Sequence, residues 1–393
     1  MAATEASRVA TVHDYYVSSV SGERFALNEP RWCGPGGEPL SLSPGRGLRR
    51  DDIRMSDRSL WRYAAALRVD SQQRVTLGEG WTPLVSRVWG GRDVAFKLEY
   101  LAPTGSFKDR GTSVLMTYLH THGVPGILED SSGNAGASMA AYTAACGMSC
   151  RILVPADAPS GKLVQMSAMG ATVIPVPGTR QDVAERALAE AGQHFYASHN
   201  WQPFFIEGTK TLAFELWEQC SFAVPDVVIV PLGYGSNVLG LHIGFSELLR
   251  AGEIQRMPRI FGVQASNCSP FAAALQAGAD HAVPFTPRPT VAGGIASQKP
   301  VRVAEVLAAM RDTNGGLVTV SEEEIVRALK GLLGCGLYVE PTSASAGAAL
   351  SQLAARGEVG DETSIVIVLT GSGLKATEVI GEIMMAASDA AAP

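Results

Sequence analysis

An α/β fold follows from three features of the 393-residue sequence. Short β-branched runs such as "CRILVPA" and "DVVIVPLG" lack the alternation of a half-exposed strand, so they read as strands covered on both faces. Ala-rich segments with helical spacing stand between them. Several strand-to-helix junctions carry Gly, Ser, Asn and Thr, at the strand ends where open parallel sheets gather ligands. Strands joined by helices pair in parallel, which sets the class.

Residues 1–60 stand apart. "RWCGPGGEPLSLSPGRGLRR" is rich in Gly, Pro and Arg and reads as coil wrapped over another surface. Regular alternation begins near residue 60. "MAAYTAACGMSC" is an Ala-rich helical pattern, "CRILVPA" a strand and "GKLVQMSAMGA" a helix. "TVIPVPG" is a strand and "RQDVAERALAEAGQ" a helix. "TLAFELWEQC" is a helix before the strand "DVVIVPLG", and "RIFGVQA" and "SIVIVLTG" are further strands. "VSEEEIVRALKGLL" opens on a capping box, Ser321 with Glu324, and reads as a helix. The tail "ASDAAAP" is expected to fray.

Composition narrows the function. Apolar residues make up 46% and charged residues 18%, enough for a sizeable core, and 32 basic against 38 acidic residues leave a net charge of −6. With no basic block, nucleic acid is not expected as a partner. No window reaches the roughly 18 apolar residues of a membrane span, and the N-terminus lacks a charged stretch followed by an apolar run, so a cytoplasmic protein without a signal peptide is expected. The six cysteines are scattered, only Cys146 and Cys150 are close, and neither has a metal-ligand pattern around it. They read as reduced thiols, with no metal.

Five places look chemical. In "APTGSFKDRG", residues 102–111, Lys108 is framed by Pro, Gly and Phe107 on one side and Asp109, Arg110 and Gly111 on the other. A lysine used only for solubility needs no such frame. In "DSSGNAGAS", Ser131, Ser132 and Asn134 crowd a turn before a helix, either as a plain N-cap or as a nest for a carboxylate. "PLGYGSNVLG", residues 231–240, is a strand-to-helix turn of small residues that lets backbone approach an anion. Its spacing, G-x-G-x-x-x-x-G, is not the dinucleotide fingerprint. Glu340 before Pro341 is either a strand-end acid or a helix start. Thr370 ends an apolar strand and a Gly-rich turn follows it. Together they supply a lysine nucleophile, a carboxylate nest, a phosphate nest and a neutral hydroxyl, which is the set that pyridoxal phosphate requires.

From "EGWTPL" near residue 79 to "TGSGLK" near 371 the chain resembles threonine synthase and, more broadly, the fold type II pyridoxal phosphate enzymes built like the tryptophan synthase β subunit. "PTGSFKDRG", "IEGTKTLAFEL", "TVAGGIASQKP" and "GLYVEPTSA" carry the resemblance. It implies two parallel-sheet α/β domains with pyridoxal 5'-phosphate in the cleft between them. Residues 61–112 and 206–393 would form the large cofactor-binding domain, and 113–205 a small mobile one. By the same resemblance Lys108 would hold the cofactor as a Schiff base, with Phe107 beside it and Asn134 on its ring oxygen. Gly233, Tyr234, Gly235, Ser236 and Asn237 would cradle its phosphate, and Thr370 would face its pyridine nitrogen. Ser131, Ser132 and Asn134 would bind the carboxylate of an amino acid substrate, and a homodimer is implied.

Departures from the family pattern bear on the substrate. Phe205 stands where threonine synthases carry an arginine that helps hold the substrate's phosphate. Tyr234, Ala135 and Ser372 replace an asparagine, a threonine and a histidine. An aromatic ring cannot replace a guanidinium fork on a phosphate. The expected activity is therefore β/γ-elimination or replacement on an amino acid other than O-phosphohomoserine, with Ala135 and Phe205 in the substrate pocket. The alternatives are a true threonine synthase, with Lys162 or Lys210 as a substitute phosphate anchor, or an enzyme like serine/threonine dehydratase or cysteate synthase.

Overall fold

The computed structural model describes residues 14–158 and 160–389. The chain divides into two compact units, Met1–Glu79 with Lys108–Thr211, and Gly80–Phe107 with Leu212–Pro393. Residues 61–79, assigned from the sequence to the larger domain, group with the first unit, as do 108–112 and 206–211.

The first unit is built on a parallel sheet in the order Thr172–Val176, Ser149–Pro155, Gly126–Glu129 and Phe195–Tyr196. The expected helices are present at Asn134–Cys146, Ser160–Ala168 and Arg180–Glu190. The N-terminal segment is not plain coil. Tyr15–Ser18, Arg24–Ala26 and Leu40–Leu42 form a small antiparallel sheet. Strands of three or four residues are too short to show alternation, which is why the sequence reads as irregular there. The segment is tied down by buried aromatics. Tyr16 donates its hydroxyl hydrogen to Tyr118 Oη at 2.7 Å and packs edge-on to Phe204 at 5.9 Å. Buried Trp61 donates its indole N–H toward Glu79 and Ser113 at 3.0 and 3.1 Å.

In the second unit a six-stranded sheet runs Gly316–Val320, Arg259–Ala265, Val227–Pro231, Ile365–Leu369, Arg92–Leu98 and Leu84–Trp89. Its first five strands are parallel, and Leu84–Trp89 pairs antiparallel at one edge. Val227–Pro231 and Ile365–Leu369 are buried at every position, the physical source of their unbroken apolar pattern. The capping box of Ser321 and Glu324 starts the helix Glu322–Gly334. Helix Thr377–Asp389 takes in residues 387–389 of the tail expected to fray, and the rest of that expectation, on residues 390–393, lies outside the described residues. Among the described residues, no helix is long and apolar enough to cross a membrane.

Candidate active site

The first unit holds the lysine and the Ser/Asn-rich turn. Lys108 opens the helix Lys108–Thr121, with Asp109 in its first turn where a negative charge suits the helix dipole. The short helix Pro203–Thr209 packs closely on it. A side-chain carbon on Gly208 would fall 2.1 Å from Arg110 O, and one on Gly111 would fall 2.6 Å from the Phe205 ring, so both contacts require glycine. Phe205 is fully buried. Lys108 Nζ lies over its ring, 5.5 Å from the centroid. Phe205, expected in the substrate pocket, has its ring packed beneath the amine of Lys108.

Ser131, Ser132 and Asn134 are half-buried at the end of strand Gly126–Glu129, where the helix Asn134–Cys146 begins. Ser131 Oγ accepts the Gly133 N–H at 3.3 Å, and Ala135 is buried just inside the helix. The neighbouring strand, Phe195–Tyr196, ends beside the same turn and delivers His199.

His199 and its partner Glu129 carry almost no local sequence signal. Its Nδ1 lies 3.2 Å from Glu129 Oε1, and its ring meets Phe205 edge-on at 5.7 Å. Burial, then the charge on Lys108, pushes the His199 imidazole well below its usual pKa. Burial, then the neighbouring Asp130, pushes the Glu129 carboxyl well above the usual carboxylate range. Asp130 itself is paired with Arg180 at 2.8 Å and accepts from Ser198 Oγ at 3.0 Å. A strand-end "SHN" is the one weak clue available in the sequence.

Lys210 is not an available phosphate anchor. It is buried, paired with Glu207 at 2.9 Å, and donates to Ala66 O at 2.9 Å. The side chain of Lys162 lies outside the described residues.

The second unit holds the remaining residues at the ends of neighbouring strands. After Val227–Pro231 the chain passes through Gly233 and Tyr234 to Gly235 and the helix Ser236–Ala251. Gly235 has φ +100°, a conformation that favours glycine, and a side chain there would strike Val306 at 2.3 Å. Ser297 Oγ donates to Gly233 O at 2.9 Å and steadies the turn. After Ile365–Leu369 comes Thr370, buried, with its Oγ1 3.2 Å from Ser343 Oγ. Phe107 donates its N–H to Thr370 O at 3.0 Å. Lys97 is not in this group. It is fully buried in an ion pair with Glu215 and donates to Thr82 O at 2.6 Å and Gln219 Oε1 at 2.8 Å. Glu340 stands at the N-cap position of the helix Pro341–Ala355 without a side-chain capping bond and sets its carboxylate close against Gly371.

These residues fit pyridoxal phosphate. The turn 233–236 ends in a helix N-terminus whose backbone N–H groups suit a phosphate. Asn237 Oδ1 is buried there with no hydrogen-bond partner among the described residues, and Ser106 Oγ, two residues before Lys108, is in the same condition. A buried polar atom without a partner is a place where a bound polar group can supply one.

Comparison with known proteins agrees. The family model "Pyridoxal-phosphate dependent enzyme" matches residues 75–371. The threonine synthase of Methanocaldococcus jannaschii is 36% identical over 337 residues, covering 84% of this chain and 83% of its own. That of Mycobacterium tuberculosis is 34% identical over 314 residues, covering 78% and 85%. Among solved structures, threonine deaminase isoform 2 of Solanum lycopersicum superposes with a TM-score of 0.67 at 22% identity, covering 90% of this chain and 98% of that one. Maize serine racemase gives 0.65 at 23%, covering 79% and 94%. At such identity the two structures speak for the fold.

Proposed function

The chain belongs to the pyridoxal-phosphate dependent enzymes, as a threonine synthase-like lyase, and on that premise we propose that it acts by β/γ-elimination or replacement on an amino acid other than O-phosphohomoserine. The observation that carries the reading is the state of position 205. A buried phenylalanine packed under the Lys108 amine offers a phosphate no donor and no charge. Lys210, five residues on, is committed to Glu207 and Ala66.

The bound cofactor supplies an electron sink for the α-carbon of the amino acid. Lys108 Nζ is the group that holds it and, once released by substrate, takes the α-proton. The nest of Ser131, Ser132 and Asn134 holds the substrate carboxylate at a helix N-terminus. Residues 233–237 hold the cofactor phosphate. Thr370 presents a neutral hydroxyl, backed by Ser343 Oγ. A hydroxyl can accept or donate one hydrogen bond, but it brings no charge to fix a proton on the ring nitrogen as a carboxylate would.

A true threonine synthase is the second reading, favoured by the 36% identity over 337 residues with the archaeal enzyme of that name. The two readings differ over the phosphate. Losing a charge-assisted hydrogen bond costs about 1.5–3 kcal/mol, so discrimination against O-phosphohomoserine should reach roughly 10²-fold. Threonine formation from O-phosphohomoserine is measured in the parent beside turnover of amino acids with uncharged leaving groups. Turnover of O-phosphohomoserine roughly 10²-fold slower than the best of these supports the altered-substrate reading. Efficient turnover by the parent restores the threonine synthase assignment.

A further inference from the structure

The mechanism leaves Lys108 with a proton to carry, and the structure shows what lies beneath that amine. The Phe205 ring sits under Nζ with its centroid 5.5 Å away, inside the roughly 6 Å range of a cation–π contact. The ring is wholly buried, so the contact is shielded from solvent on that side. It is also held from two further directions, one of them braced from behind. Gly111 lies against its face, since an added carbon there would come within 2.6 Å of the ring. His199 meets it edge-on at 5.7 Å. Glu129, from the end of its strand, fixes the His199 ring through Nδ1 at 3.2 Å.

The geometry points to Phe205 as the seat of the Lys108 ammonium: a catalytic ring that holds the protonated amine, with His199 and Glu129 as positioning residues that keep it face-on. The inference rests on Lys108 being the reactive lysine, and it deepens the reading of position 205. An arginine at 205 would repel the ammonium, whereas an aromatic face attracts it. The residue that removes a phosphate anchor thus supplies a site for the charge that the lysine acquires. Other titratable groups packed in this part of the first unit are Asp109 and buried Arg110 on the lysine helix, Glu129 and Asp130 at the strand end, Arg180 paired with Asp130, and, on the helix of Phe205 itself, Glu207 paired with Arg68 and Lys210. His199 is held neutral by its burial and by Lys108 itself, so it adds no competing charge.

The test changes the ring's electrostatics without changing its shape. Phe205 is replaced in the full chain by mono-, di- and trifluorinated phenylalanine, which progressively weaken the negative face. The cofactor is stripped, and the rate at which an amine reagent labels Lys108 below its titration midpoint is read by mass spectrometry, with exposed Lys299 as the internal reference. Labelling needs the neutral amine, so a weaker seat labels faster. A rise that climbs with each fluorine, to about 3- to 10-fold for the trifluoro ring, is expected. His199→Asn should speed labelling while leaving the chain folded. Rates that stay flat across the fluorinated series would overturn the seat. Threonine synthase activity in the parent would overturn the substrate reading and leave this result standing, so the two failures are distinct.

Discussion

Replacing Gly208 with alanine should loosen the contact that sets Phe205 against the lysine helix. Two effects oppose each other. Alanine in place of glycine inside a helix favours folding by about 0.5–1 kcal/mol. Against that, the new carbon would lie 2.1 Å from Arg110 O and 2.8 Å from the Gly111 α-carbon. Ordinary carbon–oxygen contacts sit near 3.3 Å, so the two helices must part by roughly 1 Å. Both partners are backbone, and no rotamer change can relieve them. Overpacking of this kind costs about 1–3 kcal/mol or more, so the clash outweighs the propensity gain and Gly208→Ala should lose about 1–2 kcal/mol net. Gly381 is the internal control. It lies in the helix Thr377–Asp389 with nothing within 4 Å of the added carbon, and its alanine variant should gain about 0.5–1 kcal/mol. Both are read as shifts of the urea midpoint at constant slope, followed by tryptophan fluorescence and far-ultraviolet circular dichroism so that separate unfolding of the two units is seen. A Gly208→Ala protein as stable as the parent would refute the tight backbone contact and, with it, the rigid placement of Phe205.

Borohydride reduction followed by peptide mapping should find the cofactor on Lys108. Lys97→Met should keep that linkage while losing about 3 kcal/mol of stability, because buried Glu215 is left without its cation but keeps the N–H groups of Trp81 and Thr82; an adduct on another lysine would sink the assignment of Lys108. A non-reacting amino acid analogue should slow hydrogen exchange in residues 131–138, the carboxylate nest, and unchanged exchange there would count against the nest.

The legibility of this chain follows from the range over which each feature is encoded. Strands such as Val227–Pro231 and Ile365–Leu369 announce themselves because both faces are buried, so every residue in a short window is apolar. The helix from Glu322 is legible because its cap is a four-residue signature. The strand-to-helix turn at 233–236 is legible because its backbone conformation and close packing favour small residues, as at Gly235 with φ +100° against Val306, Tyr234 excepted. The small sheet of residues 15–42 was not legible, since its strands are three and four residues long. Its stability comes instead from a partner about a hundred positions away, Tyr118 against Tyr16.

Position 205 shows where sequence reasoning reaches its limit. From the sequence, only the loss of a guanidinium was visible, so the inference was negative: no phosphate anchor. Three separate pieces of chain make the positive statement. The lysine helix contributes Gly111 and Lys108, the strand end contributes Glu129, and the segment after Phe195–Tyr196 contributes His199. None of these contacts has a local pattern, because each joins residues at least six positions apart in chain and three of the four join residues 70 or more apart. The glycines are the exception in kind. Gly111 and Gly208 are costly in helices, and their presence there requires a compensating close approach. A glycine inside "FKDRGTSV" and another inside "FIEGTKTL" are thus the sequence's own trace of the packing that holds Phe205, and they were readable as such only once the two helices were seen to touch.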